Sequence, residues 1–374
     1  MARPSGLGGD AAVSGSDLLG AMLAGPTWFL ARAEPGLGRL TESISLAGVL
    51  GSGESSGRIR FHTSASAVPL AGRLLRAPVT PFDLGRGSDP QQTLIDSSGV
   101  QALLDAVSRR RPAVVVVDGY PLLLPLLRAV SPARLVAMAN LHDLRNPAHS
   151  RGARLLQEAL HQSADLVLVS ELRRGWTRGR IGPVPLLRIP ALVREEVPTG
   201  PATPGREPPP RVVAVLGGGS RGDRRLQDSN QQLLGALNLA VGRGELPSCL
   251  VFAGTEPHSL GAGLPNLQMA DDPARCLDTL AAAELVIARA GRSTLAEVLA
   301  SGRRAVAVVA ESDTLRGAEQ AANAAAAAKL SPAVVPLPLA RLDGLAEACR
   351  RAMVSNPRRW RPGNRTVLAA LGSI

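Results

Sequence analysis

Short, nearly continuous apolar runs alternate along the chain with longer segments whose apolar residues recur every three or four positions. The runs "TWFLARA", "RIRFHTSA", "AVVVVDGY", "ARLVAMANL" and "ADLVLVS" read as strands buried on both faces, which lack the in-out alternation of a half-exposed strand. Between them, "RLTESISLAGVL" and "VQALLDAVSRR" read as helices. Strands that alternate with helices predict an α/β architecture built on a parallel sheet. The same alternation restarts at "RVVAVLGGGS" and runs through "SCLVFAG", "ELVIARA", "RAVAVVA" and "AVVPLP", with helices at "QQLLGALNLAV", "ARCLDTLAAA", "STLAEVLASG", "AEQAANAAAAAKL" and "LDGLAEACRRAMVS".

What separates the two series is "VPTGPATPGREPPP", too rich in proline for a helix or a central strand. The division predicted is a loose Gly, Ser and Ala-rich leader over 1–24, an N-terminal domain over 25–196, a linker over 197–210, a C-terminal domain over 211–355 and a basic tail over 356–374. Two doubly wound, Rossmann-like domains imply a ligand cleft between them.

Composition narrows the function. A formal charge of +11 raises the question of nucleic acid, yet all but one of the 42 basic residues are Arg, the exception being Lys329, a skew that suits a GC-rich coding bias. The arginines are dispersed, and four Phe, three Trp and one Tyr give few rings for stacking on bases. No nucleic-acid partner is expected, and part of the charge is free to attract an anionic ligand. Cys249, Cys276 and Cys349 are odd in number and widely spaced, so neither a disulfide framework nor a zinc site is expected. No apolar run reaches the length of a membrane span, and Asp17 stands where a signal peptide would carry positive charge. The expectation is a cytoplasmic protein with peripheral membrane contact at most.

Three turns combine glycine with the start of a helix: "EPGLGRL" at Glu34–Leu40, "GGGSRGDRRL" at Gly217–Leu226 and "RAGRSTLAE" at Arg289–Glu297. Backbone N–H groups at such turns, with the partial positive charge of the helix start, suit a diphosphate. In the third turn Ser293 or Thr294 can cap the helix. Glu297 then either closes a capping box or accepts hydrogen bonds from a ribose, and Arg289 and Arg292 either face a diphosphate or sit exposed at the helix entry.

The segment "AELVIARAGRSTLAEVLASGRRAVAV", with "LGGGSRGDRRL" upstream and "GAEQAANAAAAAKL" downstream, resembles the donor-binding region of family 28 glycosyltransferases over most of residues 211–335. The N-terminal half matches less closely: "ARAEPGLGRLTESISLAGVL" is similar to the family's glycine-rich loop and helix, with Arg39 where a histidine is usual, and "DGYPLLLPLL" and "LHDLRNP" are similar to acceptor-side segments. The resemblance implies a GT-B fold, an acceptor on the N-terminal domain, and a nucleotide-sugar donor, UDP-linked in the first instance, on the C-terminal one. It implies Glu297 at the ribose, Gly291, Arg292, Ser293 and Thr294 with Arg289 at the diphosphate, Gln320 and Asn323 at the sugar, and Gly218, Gly219 and Ser220 along the cleft. Glu319 stands where a second glutamine is often seen, so the sugar need not be N-acetylglucosamine. Glu34, Gly36, Gly38 and Arg39 would lie on the acceptor side.

Such enzymes commonly invert the anomeric centre with a general base and need neither a metal nor a cofactor beyond the donor. Arg39 cannot be that base, because guanidinium stays protonated; Asp118 at a strand end, His142 and Asp143 are the candidates, with Glu34 a further option. Arg39 suits an anionic acceptor, lipid-linked or soluble, or else marks lost activity. The competing functions are a non-catalytic nucleotide-sugar-binding or partner protein and, less favoured because "RAGRST" replaces an acid-rich turn, a nucleotide-sugar 2-epimerase.

Overall fold

The computed structural model describes residues 15–33, 38–51, 57–75, 78–82, 98–140, 144, 149–194, 210–217, 224–253, 263–270, 272, 275–310 and 315–374. Glu34, Gly36, His142, Asp143, Gly218, Gly219 and Ser220, with nearly all of the expected linker, lie outside the described residues.

In the N-terminal half eight strands form one sheet: β1 (Thr27–Ala31), β2 (Ile59–Thr63), β3 (Val79–Pro81), β4 (Val114–Asp118), β5 (Arg134–Ala139), β6 (Leu166–Glu171), β7 (Thr177–Ile181) and β8 (Val184–Pro190), in the order β3-β2-β1-β4-β5-β6-β8-β7. All pairs are parallel except β7 with β8. Helices α1 (Gly15–Ala24), α2 (Gly38–Gly51), α3 (Val68–Leu74), α4 (Ser98–Arg110), α5 (Leu123–Val130) and α6 (Arg151–His161) accompany them. Side chains alternate across the sheet: Phe29, Phe61, Val114, Val116 and Val136 pack on one face with α1 and α2, and Trp28, Leu30, Val115, Val117 and Leu135 on the other with α4 and α5. Both faces are therefore covered, as the continuous apolar runs require.

The C-terminal half holds β9 (Val212–Val215), β10 (Cys249–Phe252), β11 (Leu267–Met269), β12 (Leu285–Arg289), β13 (Arg304–Val309) and β14 (Val334–Pro338), all parallel, in the order β11-β10-β9-β12-β13-β14. This is the doubly wound dinucleotide-binding order, whose reversal between β9 and β12 opens the crevice where ligands bind. Its helices are α7 (Arg224–Gly242), α8 (Cys276–Ala282), α9 (Arg292–Ser301), α10 (Leu315–Leu330) and α11 (Leu345–Val354).

Three expectations change. From Gly15 the expected loose leader is helix α1, which buries Leu18 and Met22, one turn apart, in the N-terminal core. The expected tail carries a last helix, α12 (Asn364–Leu371), whose Val367, Ala370 and Leu371 join the core of the N-terminal half. The chain thus crosses back, held by the Trp360 indole N–H donating to the Arg173 carbonyl at 2.8 Å and by Gly363 N–H donating to Ala191 O at 3.0 Å. Finally, "ADLVLVS" is not the last N-terminal strand, since β7 and β8 follow it; prolines at both ends of "VPLLRIP" and the Arg and Gly of "TRGRI" hide them. In return Leu172, Ala191 and Val193 pack into the core of the C-terminal half.

Candidate active site between the two domains

Asp118 is the last residue of β4, only 2% exposed, and its carboxylate accepts hydrogen bonds from Ser43 Oγ at 2.8 Å and from Arg39 at 3.1 Å. The ion pair with Arg39 crosses from the first turn of α2, and Gly119, at φ +83°, makes room for it. A Cβ on Gly119 would lie 2.7 Å from Arg39 Cδ and 2.8 Å from Arg32 Cβ, so only glycine serves both the left-handed backbone and the close approach. Burial pushes the Asp118 carboxyl up to about 6, with the Glu42 charge adding to the rise, while Arg39 and the Ser43 hydrogen bond oppose it. A carboxylate held near 6 is mostly ionised at neutral pH yet basic enough to take a proton.

The first turn of α2 also touches the donor-side turn. Ser293 Oγ donates to the Gly38 carbonyl oxygen at 3.0 Å, and a Cβ on Gly38 would sit 3.1 Å from that hydroxyl. Arg292, at the start of α9, turns to the other domain rather than to an open diphosphate position. Its guanidinium donates to the buried Glu42 carboxylate and to the Ser170 carbonyl oxygen at 2.9 Å, and Ser170 Oγ donates to the other Glu42 oxygen. Both partners are buried, and removing one member of such a pair costs about 3–5 kcal/mol.

The donor-side turn is tight: Gly291 N–H donates to the Arg289 carbonyl at 2.6 Å, and Ala290 N–H to Val308 O at 2.9 Å. Gly291 has extended backbone and is the N-cap of α9, without a side-chain cap. The nearest atom to a Cβ placed there is Arg289 O at 3.9 Å, which leaves the backbone open to a close ligand. Because the cap falls at Gly291, Glu297 is the sixth helical residue, too far along for a capping box, which needs the third. Ser293 and Thr294, expected as caps, are instead the second and third helical residues. Glu297 is buried beside Arg194, Oε1 to guanidinium 3.7 Å; burial pushes its carboxyl up and Arg194 draws it partly back.

Around this turn the remaining donor-side residues converge. Arg289, ending β12, donates to the buried Asn230 at 3.4 Å. On α10, Asn323 Nδ2 donates to Ala290 O at 3.2 Å, Gln320 Oε1 accepts the Ala310 N–H at 3.0 Å, and Glu319 accepts from the Asn140 amide across the domain interface. Sequence reasoning misses Glu42, Ser43, Asn140, Ser170 and Arg194. The available signal was "TESIS", a polar string inside a helix buried from Glu42 to Ala47, where each polar group must find a partner. Among the described residues no group of three or more His, Cys, Asp or Glu side chains converges as a metal site, and no helix is long and apolar enough to cross a membrane.

Comparison with known proteins bears on the family and the fold. The model of the glycosyltransferase family 28 C-terminal domain matches residues 267–357. Two UDP-N-acetylglucosamine N-acetylmuramyl-(pentapeptide) pyrophosphoryl-undecaprenol N-acetylglucosamine transferases are similar along most of the chain. That of Methylorubrum extorquens is 30% identical over 291 residues, 73% of this chain and 69% of its own length. That of Nitrobacter hamburgensis is 29% identical over 272 residues, 67% of this chain and 69% of its own length. Among solved structures, spinosyn forosaminyltransferase SpnP superposes with TM-score 0.56 at 16% identity, covering 93% of this chain and 94% of that one. MurG of Acinetobacter baumannii gives 0.50 at 15%, covering 93% and 99%; these two likenesses establish the GT-B fold. Neither the epimerase nor the non-catalytic alternative gains support. The chain belongs to glycosyltransferase family 28 and is a GT-B, hexosyltransferase-type enzyme that uses a nucleotide-sugar donor.

Proposed function

We propose that the enzyme moves a sugar from a UDP-sugar to a hydroxyl of an anionic, lipid-linked acceptor, with inversion and without a metal, and that Asp118 is the general base. The observation that carries this reading is the position of Asp118. It is a buried carboxylate at a strand end, held up at about 6, and joined through the first turns of α2 to the Gly291–Ser293 turn of the other domain. The acceptor hydroxyl gives its proton to Asp118 as its oxygen attacks the anomeric carbon, and the bond from that carbon to the diphosphate breaks. Negative charge then gathers on the departing UDP, where Arg289 and the N-terminus of α9 favour it. Glu297 accepts from the ribose, and Gln320 and Asn323 hold the sugar from α10.

Several features support the acceptor assignment. The two curated relatives are named for a pyrophosphoryl-undecaprenol acceptor. On this chain, the touching helices α5 and α6 expose Val130, Leu155 and Leu156, with Arg151 and Arg154 exposed beside the two leucines, a combination that suits an anionic membrane surface. This reading places the protein at the cytoplasmic face of a membrane as a peripheral protein.

The test is transfer from α-linked UDP-hexoses to a diphosphate-linked lipid acceptor in anionic vesicles, with the product's anomeric coupling read by NMR. A β-linked product, formed at the same rate with EDTA present, is expected. An α-linked product, or activity lost with EDTA and restored by Mg²⁺, would overturn the inverting or metal-independent parts.

A further inference from the structure

The pair formed by Glu42 and Arg292 is joined to nothing in the mechanism so far, yet it links the two halves of the site. Glu42 is on α2, one residue before the Ser43 that donates to Asp118 Oδ2 at 2.8 Å. Arg292 is the residue after Gly291 on the donor-side turn. Between them, the Arg292 guanidinium holds one Glu42 oxygen and Ser170 Oγ the other. The Ser170 carbonyl at the end of β6 takes a further guanidinium N–H at 2.9 Å. Glu42 is 3% exposed and Arg292 8%, so bulk water screens this pair little.

We infer that Arg292 and Glu42 are positioning residues for the transfer step: their buried ion pair fixes the donor turn against α2 and compensates the negative charge that Glu42 places next to Asp118. Without the arginine, the Glu42 charge would face Asp118 uncompensated and push its carboxyl further up. Docking of the donor turn therefore keeps the base in its ionised, proton-accepting form. Among the described residues the other charged groups around Asp118 are Arg39 on α2, which pairs with it, and Arg32 after β1, whose backbone N–H donates to the Asp118 carbonyl at 3.0 Å. Asn140, after β5, is neutral and is held by Glu319 from the C-terminal half. His142 and Asp143 lie outside the described residues.

The inference rests on Asp118 being the base, and the experiment separates the two. Profiles of kcat and kcat/KM against pH are recorded for the wild type, Glu42→Gln, Arg292→Gln, the double variant and Arg292→Lys, with Asp118→Asn as control. Glu42→Gln keeps the shape and the Ser170 partner while removing the charge, so the acid limb moves down by about one pH unit. Arg292→Gln leaves Glu42 uncompensated and moves the limb up by a similar amount. The double variant, which loses both charges, returns to near the wild type, and Arg292→Lys stays there too.

That order of apparent pKa values distinguishes an electrostatic role from a purely structural one, which would lower kcat without moving the limb. If Asp118→Asn abolishes turnover but Glu42→Gln and Arg292→Gln keep the wild-type limb, the inference is wrong and the base assignment stands. Where Arg292→Gln does not fold, Glu42→Gln against the wild type decides alone. If Asp118→Asn keeps both rate and limb, the base assignment itself falls, and the inference with it.

Discussion

Glu297 offers a prediction in which affinity and stability should part. Its carboxylate is buried and its pKa raised, with burial outweighing the attraction of Arg194 at 3.7 Å. The free protein therefore holds this charge at a cost, greatest at neutral pH and relieved as the pH falls and the group protonates. Glu297→Gln removes the charge with little change of shape and should leave the melting temperature unchanged or raised. The nucleotide complex should respond in the opposite sense. A charge-assisted hydrogen bond contributes about 1.5–3 kcal/mol, and about 1.4 kcal/mol is tenfold in affinity. Glu297→Ala should therefore weaken UDP binding roughly 10- to 100-fold, and Glu297→Gln, which keeps an acceptor oxygen, should fall between Ala and the wild type. Titration calorimetry with UDP, paired with thermal melts of the free protein, reads both numbers. A Kd for UDP within twofold of wild type in Glu297→Ala, together with a lower melting temperature, would refute the reasoning and make Glu297 only a structural partner of Arg194.

Three further outcomes follow from the packing and charge of the site. His62 is buried against Trp28, ring centroids 4.9 Å apart, and burial with Arg60 and Arg110 nearby lowers it to about 4. Its neutral form is the one the fold accommodates, so stability is full above pH 6.5 and falls toward pH 4 by up to about 3 kcal/mol; urea titrations should show a flatter acid dependence in His62→Phe. Leu371 is fully buried where α12 packs on the N-terminal half, so Leu371→Ala should cost about 2–5 kcal/mol by the same assay. Replacing Gly119 by Ala places a Cβ 2.7 Å from Arg39 Cδ at a positive φ; kcat should fall as the Arg39–Asp118 pair is displaced, while the Kd for UDP, read by calorimetry, stays within twofold of wild type.

The repeated strand and helix pattern was legible because both sheets are covered on both faces and their central strands are almost wholly apolar. The donor turn was legible as a strand end, a glycine and a helix with an acid, but the sequence could not say which residue caps α9. That the cap is Gly291 is what moves Glu297 out of the capping box. Partners such as Arg292 and Glu42 are 250 residues apart, and no local period reports a pair of that separation. Helix α12 was readable in principle from Val367, Ala370 and Leu371, spaced as one helical face; the arginines around it made the segment look like a solvated tail. Arg39 gained the most from the fold. Seen in the sequence as a cation for an anionic acceptor, it is bonded to Asp118, the residue whose basicity it tempers.

Acceptor-dependent transfer driven by Asp118 is tested most directly by UDP release with and without acceptor in wild type and Asp118→Asn over a range of pH. The wild type should release UDP only when acceptor is present, with an acid limb near pH 6. The variant should bind UDP within twofold of wild type and turn over about 10²- to 10⁴-fold more slowly. Turnover by Asp118→Asn within tenfold of wild type, with the acid limb in place, would contradict it.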